Sequence, residues 1–201
     1  FDFSDEKAQK RIRGTDATFS FMKTASATAL QVKTGHTQRW PGIAVTPAAS
    51  AWDLSRWKHL NAVLHNPTDE KIAVFWRIDN EGADGSNHCQ TVRTELPPRT
   101  EKHASLSLSL PLANKEKIKL FGMRGNPPVG TRLDSSKITQ FLFFASSPKR
   151  DHVFDIKSIF VSGKRPPSEK PLDAETFFPM IDKFGQYIHK EWPGKTHSEK
   201  E

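Results

Sequence analysis

Between Ile72 and Asp79 the chain alternates with a period of two: Ile72, Val74, Trp76 and Ile78 fall on one side, and Ala73, Phe75, Arg77 and Asp79 on the other. Successive side chains of a strand point to opposite faces, so this is the pattern of a strand with one buried face. It belongs to a series. From Phe19 to about Ser162 the apolar runs are short and broken by turn residues, the mark of an all-β domain. His59 to His65 reads as a strand stopped by Asn66-Pro67-Thr68-Asp69, where proline presets φ and Asn or Asp bonds the local backbone. Leu106, Leu108 and Leu110 alternate with Ser107 and Ser109, and Pro111 closes the run. Ile118 to Phe121, Ile138 to Ala145 and Val153 to Val161 read as further strands. No long segment of helical period interrupts them, which argues against alternating βαβ units and for a two-sheet antiparallel sandwich over residues 1–163.

A chain of 201 residues holds one domain of ordinary core with some chain to spare. It leaves no room for a catalytic (β/α)₈ barrel, which needs roughly 250 residues by itself. Hydrophobic residues make up 35% and charged residues 26%, a balance that suits a sandwich with two wet outer faces. The net charge of +7, from 30 Lys and Arg against 23 Asp and Glu, raises the question of a polyanionic partner. The basic residues are dispersed, and the denser stretches (Lys7 to Arg13, Lys115 to Lys119, Lys164 to Lys170) sit in loops or at boundaries. They read as a solvated surface, and no nucleic-acid partner is expected. No run approaches the ~18 apolar residues of a membrane span, so no membrane partner is expected either. The chain opens on Phe1 rather than Met, and the natural N-terminus is read as lying upstream. Cys89 is the sole cysteine; it excludes an intramolecular disulfide and reads as a small half-buried loop residue rather than a nucleophile.

Composition shifts at Gly163. Lys164-Arg165-Pro166-Pro167-Ser168-Glu169-Lys170-Pro171 is a proline-rich charged linker, stiff and extended. Beyond it Phe177, Met180, Ile181, Phe184 and Ile188 match a helical template interrupted by Pro179 and Gly185. Residues 164–201 are therefore expected to form a linker and an extended or partly helical tail whose apolar stripe docks on something outside this chain.

The motifs of common enzyme chemistry are missing: no Gly-rich phosphate loop, HExxH, paired-cysteine metal site or GxSxG elbow occurs. Carboxylates such as Asp79, Asp84, Glu95 and Asp134 carry no spacing that sets up the acid and base of glycoside hydrolysis, and no catalytic residue is expected. Binding candidates are of a different kind. Trp40 and Trp52 flank Pro41-Gly42 and Pro47 in an irregular segment, where either can stand as an exposed aromatic platform. Trp76 and Trp57 read as core. Arg77 and Asp79, opposite the apolar side of their strand, offer a polar rim for sugar hydroxyls or a contact to a neighbouring domain; the plainer reading is a cross-strand ion pair. The loop from Asn80 to Gln90 is rich in Gly, Asn and Asp, and loops of this length carry binding residues in sandwiches, which makes Asn80, Asn87 and His88 candidates. His88 and Cys89 lack the further ligands a metal needs. Arg124, between Gly122 and Gly125, reads either as a ligand contact or as part of a structural turn.

Several stretches resemble the N-terminal domain of the β-agarases of glycoside hydrolase family 50. They are Arg77 to Gly85 (RIDNEGADG), Phe121 to Pro127 (FGMRGNP), Leu133 to Gln140 (LDSSKITQ) and Pro148 to Phe154 (PKRDHVF), followed by Ile181 to Tyr187 (IDKFGQY) and Trp192 to Ser198 (WPGKTHS) in the tail. The resemblance implies a galactose-binding-like jelly roll of the carbohydrate-binding-module type, packed on a (β/α)₈ barrel that holds both catalytic glutamates and lies beyond this chain. It implies β-1,4 cleavage of agarose or a related galactan by the parent enzyme, and a secreted or periplasmic location. The expected role is then that of a non-catalytic accessory domain that helps bind or orient a galactan-type polysaccharide. One departure bears on cofactors. Related sandwiches commonly close on Ile-Asp-Asn-Ile, whose aspartate serves a structural calcium, whereas this chain has Ile156-Lys157-Ser158-Ile159. Lys157 puts a cation where a ligand would be, so no calcium or other cofactor is expected, although Asp155 and Asp151 lie close in sequence. Two rival readings stay open. A jelly roll can be a carbohydrate-active enzyme in its own right, against which stands the single Tyr, Tyr187, in the tail; a structural or protein-binding sandwich without sugar affinity is the other.

Overall fold

A computed structural model describes residues 1–23, 27–85, 87–108 and 133–166, all within one compact unit. Among the described residues ten strands follow a one-turn helix, α1 (Glu6–Gln9), capped by Asp5, whose Oδ1 accepts from Lys7 N at 2.9 Å. The strands are β1 (Ile12–Thr15), β2 (Ala17–Lys23), β3 (Thr28–Thr34), β4 (Gly42–Val45), β5 (Trp57–His65), β6 (Ile72–Asp79), β7 (Cys89–Leu96), β8 (Glu101–Ser107), β9 (Gln140–Phe144) and β10 (His152–Lys164). They form two five-stranded antiparallel sheets. The front sheet has the order β1-β4-β9-β6-β7 and the back sheet β2-β3-β10-β5-β8. Successive elements pass repeatedly from one sheet to the other, and the result is a jelly-roll β-sandwich.

The period-two pattern of β6 is realised as read. Ile72, Val74, Trp76 and Ile78 are buried, and Trp76 stacks on Phe143 with ring centroids 5.3 Å apart and planes at 11°. From the back sheet come Leu30, Val32, Leu60, Leu64, Leu106, Phe154 and Ile156. Trp57 packs against this core at the start of β5. Burying one such large apolar side chain contributes roughly 1.5–3 kcal/mol, so the inward rows of the two sheets hold the sandwich together.

Several elements differ from the sequence reading, among them β4 (Gly42–Val45), which lies in the segment read as irregular. Cys89–Leu96 is a strand, β7, rather than the end of a loop followed by unassigned chain. Its inward positions include Thr94, and its outward positions include Arg93 and Glu95, so apolar alternation is weak although the register with β6 is continuous. The strand around Leu106 begins at Glu101, where the outward residues Glu101 and His103 hide the alternation. β10 carries a bulge at Lys157: Ile156 pairs with Leu64 and Ser158 with Val63. The extra residue lets Ile156 and Ile159, three apart, both face the core. The run Ile118 to Phe121, the Gly122 to Gly125 segment with Arg124, and the tail from Phe177 to Trp192 lie outside the described residues.

Candidate functional site

The outward side of the front sheet follows directly from register. Directly paired residues share a face, so Thr15, Gly42, Phe144, Phe75 and Arg93 form one row across β1, β4, β9, β6 and β7. Arg13, Ala44, Leu142, Arg77 and Thr91 form the next. Gln140, Asp79 and Cys89 form a third.

Aromatic rings dominate the first row. Phe75 and Phe144 stack at 5.5 Å with planes at 14°, and Trp40 meets Phe144 edge-on at 5.8 Å. Trp40 is 49% exposed, the most exposed large hydrophobic side chain of the described residues. It is held where it stands by backbone bonds on either side: Ser147 N donates to Arg39 O at 2.7 Å and Ala145 N to Pro41 O at 3.0 Å. The segment before β4 is thereby tied to the end of β9. Gly42 is part of the same arrangement, because a Cβ there would lie 2.6 Å from Phe144 Cα. The guanidinium of Arg39 lies 5.0 Å from the Trp40 ring centroid, within cation–π range.

Arg77 and Asp79 lie next to this strip, but their roles differ. Their ion pair runs along β6 rather than across strands: Arg77 Nη2 donates to Asp79 Oδ2 at 2.9 Å, and Nε stands 2.8 Å from Oδ1. Gln140 Nε2 donates to the same Oδ2 at 2.7 Å. Asp79 is 0% exposed, so its carboxylate is out of reach of a ligand and acts by holding Arg77. The following loop folds back over the pair, and a Cβ at Gly85 would stand 3.1 Å from Arg77 Nη1. Cys89, beneath that loop, is buried; burial first, and the Asp79 charge second, push its thiol pKa up.

Of the other loop candidates, Asn80 is committed to structure. Its Nδ2 donates to Asp134 O at 2.9 Å and Lys137 O at 2.7 Å, and its Oδ1 accepts from Asp134 N. Asn87 donates through N and Nδ2 to the Asp84 carboxylate at 2.7 and 2.8 Å. His88 is exposed at φ 56°, and its carbonyl accepts from Asn80 N. Trp52 is half-buried; it bridges to Ile138 and stacks on Phe141 at 4.2 Å with planes at 11°, which gives one face of the indole to the core. The structure therefore brings Trp40 and Arg77 to one face and leaves Trp52, Asn80 and Asn87 off it. Phe75, Phe144, Arg39 and Arg93 join that face without having been singled out. For Phe75 a signal existed, an aromatic residue at an outward position of β6; for Phe144, within a run apolar at consecutive positions, none did.

Among the described residues no group of three or more His, Cys, Asp or Glu is disposed to hold a metal ion. The carboxylates near the departure in β10 have protein partners. Asp155 is buried, with Gln31 Nε2 at 3.0 Å, His65 Nδ1 at 2.8 Å and Lys157 Nζ at 3.9 Å. Asp151 pairs with His36 at 2.7 Å and Lys33 at 3.5 Å, and the His36 bond is the main cause of its lowered pKa.

No protein-family model matches the chain. A curated protein, β-agarase B of Vibrio sp. (strain JT0107), is 28% identical over 211 residues, which cover 94% of this chain and 21% of the relative. Among solved structures, an exo-β-agarase matches with TM-score 0.62 at 19% identity, over 83% of this chain and 25% of its own. The chain is similar to β-agarases over most of its own length. The agarase AgWH50C superposes with TM-score 0.59 at 11% identity over 94% of this chain and 30% of its own. A family 11 carbohydrate-binding module from Clostridium thermocellum, solved with a β-1,3-1,4-mixed-linked tetrasaccharide, gives 0.57 at 13% identity, over 82% of this chain and 94% of the module. The chain thus spans about a fifth of the length of its curated relative, and the module superposes over nearly its whole length on the jelly-roll fold described above. No helix among the described residues is long and apolar enough to cross a membrane.

Proposed function

We propose that this chain is the non-catalytic accessory domain of an agarase-like glycoside hydrolase, and that the outward face of its front sheet binds or orients a galactan-type polysaccharide at the parent enzyme's cleft. The observation that carries the reading is the Trp40–Phe144–Phe75 strip, in which buried Phe144 backs an exposed Trp40 and a half-buried Phe75. Aromatic rings of this kind offer an apolar platform for the C–H faces of sugar rings, while nearby polar groups meet the hydroxyls. Arg77, oriented by buried Asp79, and Gln140 supply such groups one and two rows away. The agarase relative supports galactan as the polysaccharide class, and the carbohydrate-binding-module fold fits a binding role. In this reading residues 1–163 are the binding sandwich, residues 164–201 lead towards a catalytic barrel supplied by the rest of the parent, and the parent acts outside the cytoplasm on polymer.

Calorimetry of the 201-residue chain with agarose oligosaccharides tests the reading, beside the same titration of Trp40→Ala. Binding that falls at least tenfold in the variant, with an unchanged thermal melt, is expected. Absence of binding to any galactan, or undiminished binding by Trp40→Ala, would overturn it.

A further inference from the structure

The charges around the aromatic strip are unequal. Arg13, Arg39, Arg77, Arg93 and Lys71 stand on or beside the outward face of the front sheet. The carboxylates there are Glu95 and Asp79. Glu95 pairs with both Lys71 and Arg93, whose hydrogen bonds lower its pKa; Asp79 is buried under Arg77. At the two ends of the face, Asp16 accepts from Thr37 N and Gln38 N at 2.8 and 2.9 Å, and Asp84 from Asn87. Each of these four carboxylates is occupied by a donor of the protein itself, and Lys71, Arg77 and Arg93 are held in those pairs, so that Arg13 and Arg39 are the cations of this set with no carboxylate partner among the described residues.

The positions of the cations give the excess a shape. Arg39 lies over Trp40 at one end of the aromatic row, and Arg93 is paired with Phe75 at the other. From β4 to β7 the row crosses three inter-strand steps, roughly 14 Å at the usual spacing of about 4.8 Å. Arg93 keeps 53% of its side chain exposed while it contacts Glu95 at 2.7 Å. A guanidinium presents paired N–H groups in one plane, which suit the oxygens of a sulfate ester better than a sugar hydroxyl does.

From this we propose that the front-sheet face selects a sulfated galactan, its sugar rings over Trp40 and Phe75 and its sulfate groups met by Arg39 and Arg93. The inference deepens the carbohydrate-binding reading of the same face and rests on it. It predicts a ligand preference set by charge, and a salt dependence that a neutral sugar site lacks.

The test is titration of the full chain with a 6-O-sulfated porphyran oligosaccharide and with the same oligosaccharide after desulfation, at low and at high salt. Wild-type chain is expected to bind the sulfated form at least tenfold more tightly at low salt, and to lose most of that margin at high salt. The double variant Arg39→Gln/Arg93→Gln should bind both forms with the affinity of wild type for the desulfated one, with its melting temperature retained. Equal, salt-independent binding of both forms would overturn the proposal and leave the carbohydrate-binding reading standing. A sulfate preference that survives in the double variant would also overturn it, since the charge would then act elsewhere. Binding of neither form would remove both.

Discussion

The Asp155 carboxylate stands on the outward side of the back sheet with only 3% of its side chain exposed, and His65 Nδ1 lies 2.8 Å from its Oδ2 across the β5–β10 ladder. Gln31 of β3 donates to the other oxygen at 3.0 Å. One carboxylate therefore links three neighbouring strands.

Replacing Asp155 by alanine leaves the Gln31 amide and the His65 ring without their acceptor. A buried polar group deprived of its partner costs about 1–3 kcal/mol, and Asp155→Ala should lose about that much in urea unfolding at neutral pH. An unchanged unfolding midpoint would show that the three-strand link contributes nothing.

Lys157 supplies a positive charge 3.9 Å from Asp155 Oδ2. A divalent ion placed there would meet that ammonium, so thermal melts in EDTA and in added calcium should overlay. A melting point several degrees lower on chelation would refute this.

Gly42 and Gly82 predict opposite kinds of damage. A Cβ at Gly42 would run into the Phe143 carbonyl oxygen and lie 2.6 Å from Phe144 Cα, both backbone. Gly42→Ala must push β4 from β9 and should abolish folding or lower stability by more than about 3 kcal/mol, beyond the usual cost of overpacking. At Gly82 nothing lies within 4 Å, but φ is +75°, so Gly82→Ala should cost only about 1–2 kcal/mol of left-handed backbone strain. Comparison of the two variants by chemical denaturation decides the point; similar losses would contradict it.

His152 at the start of β10 has its pKa lowered from 6.5, first by burial and then by Arg150. Its folded value lies below the unfolded one. The neutral ring is therefore favoured by folding: the stabilisation is present above about pH 6.5 and is lost as pH falls through the folded pKa. NMR titration should give His152 a midpoint below 6.5, and His152→Gln should flatten the stability profile in that window. Asp151 is lowered from 3.8, mainly by the bond from His36, so its loss falls in a separate, more acidic window. A His152 midpoint above 6.5 would reverse the sign.

Much of the architecture is local information. The alternation of Ile72 to Asp79, the stop at Asn66 to Asp69 and the absence of long helical periodicity determine an antiparallel sandwich, because side-chain direction in a strand depends on position parity alone. Asn66 acts as the turn reading requires: its Oδ1 accepts from Thr68 N, and its Nδ2 donates to the carbonyls of Glu70, Leu96 and Pro97. β7 escaped because Arg93 and Glu95 face water and Thr94 faces in, which leaves too few apolar residues to signal a strand.

The candidate site depends on what parity cannot specify. The outward position of Phe75 follows from the sequence of β6, but only the β6–β9 and β4–β9 registers put Phe144 beside it and Trp40 against Phe144. Asp79 shares Phe75's side of the strand and is nevertheless enclosed, because the loop after it folds back and Gln140 approaches from β9. The sequence by itself determined the strands with clear alternation, such as β6, their apolar side and the turn at Asn66, since those are set by neighbours one or two residues away. Which outward residues meet, and which of them water still reaches, was decided by strand order and loop packing between segments far apart in the chain.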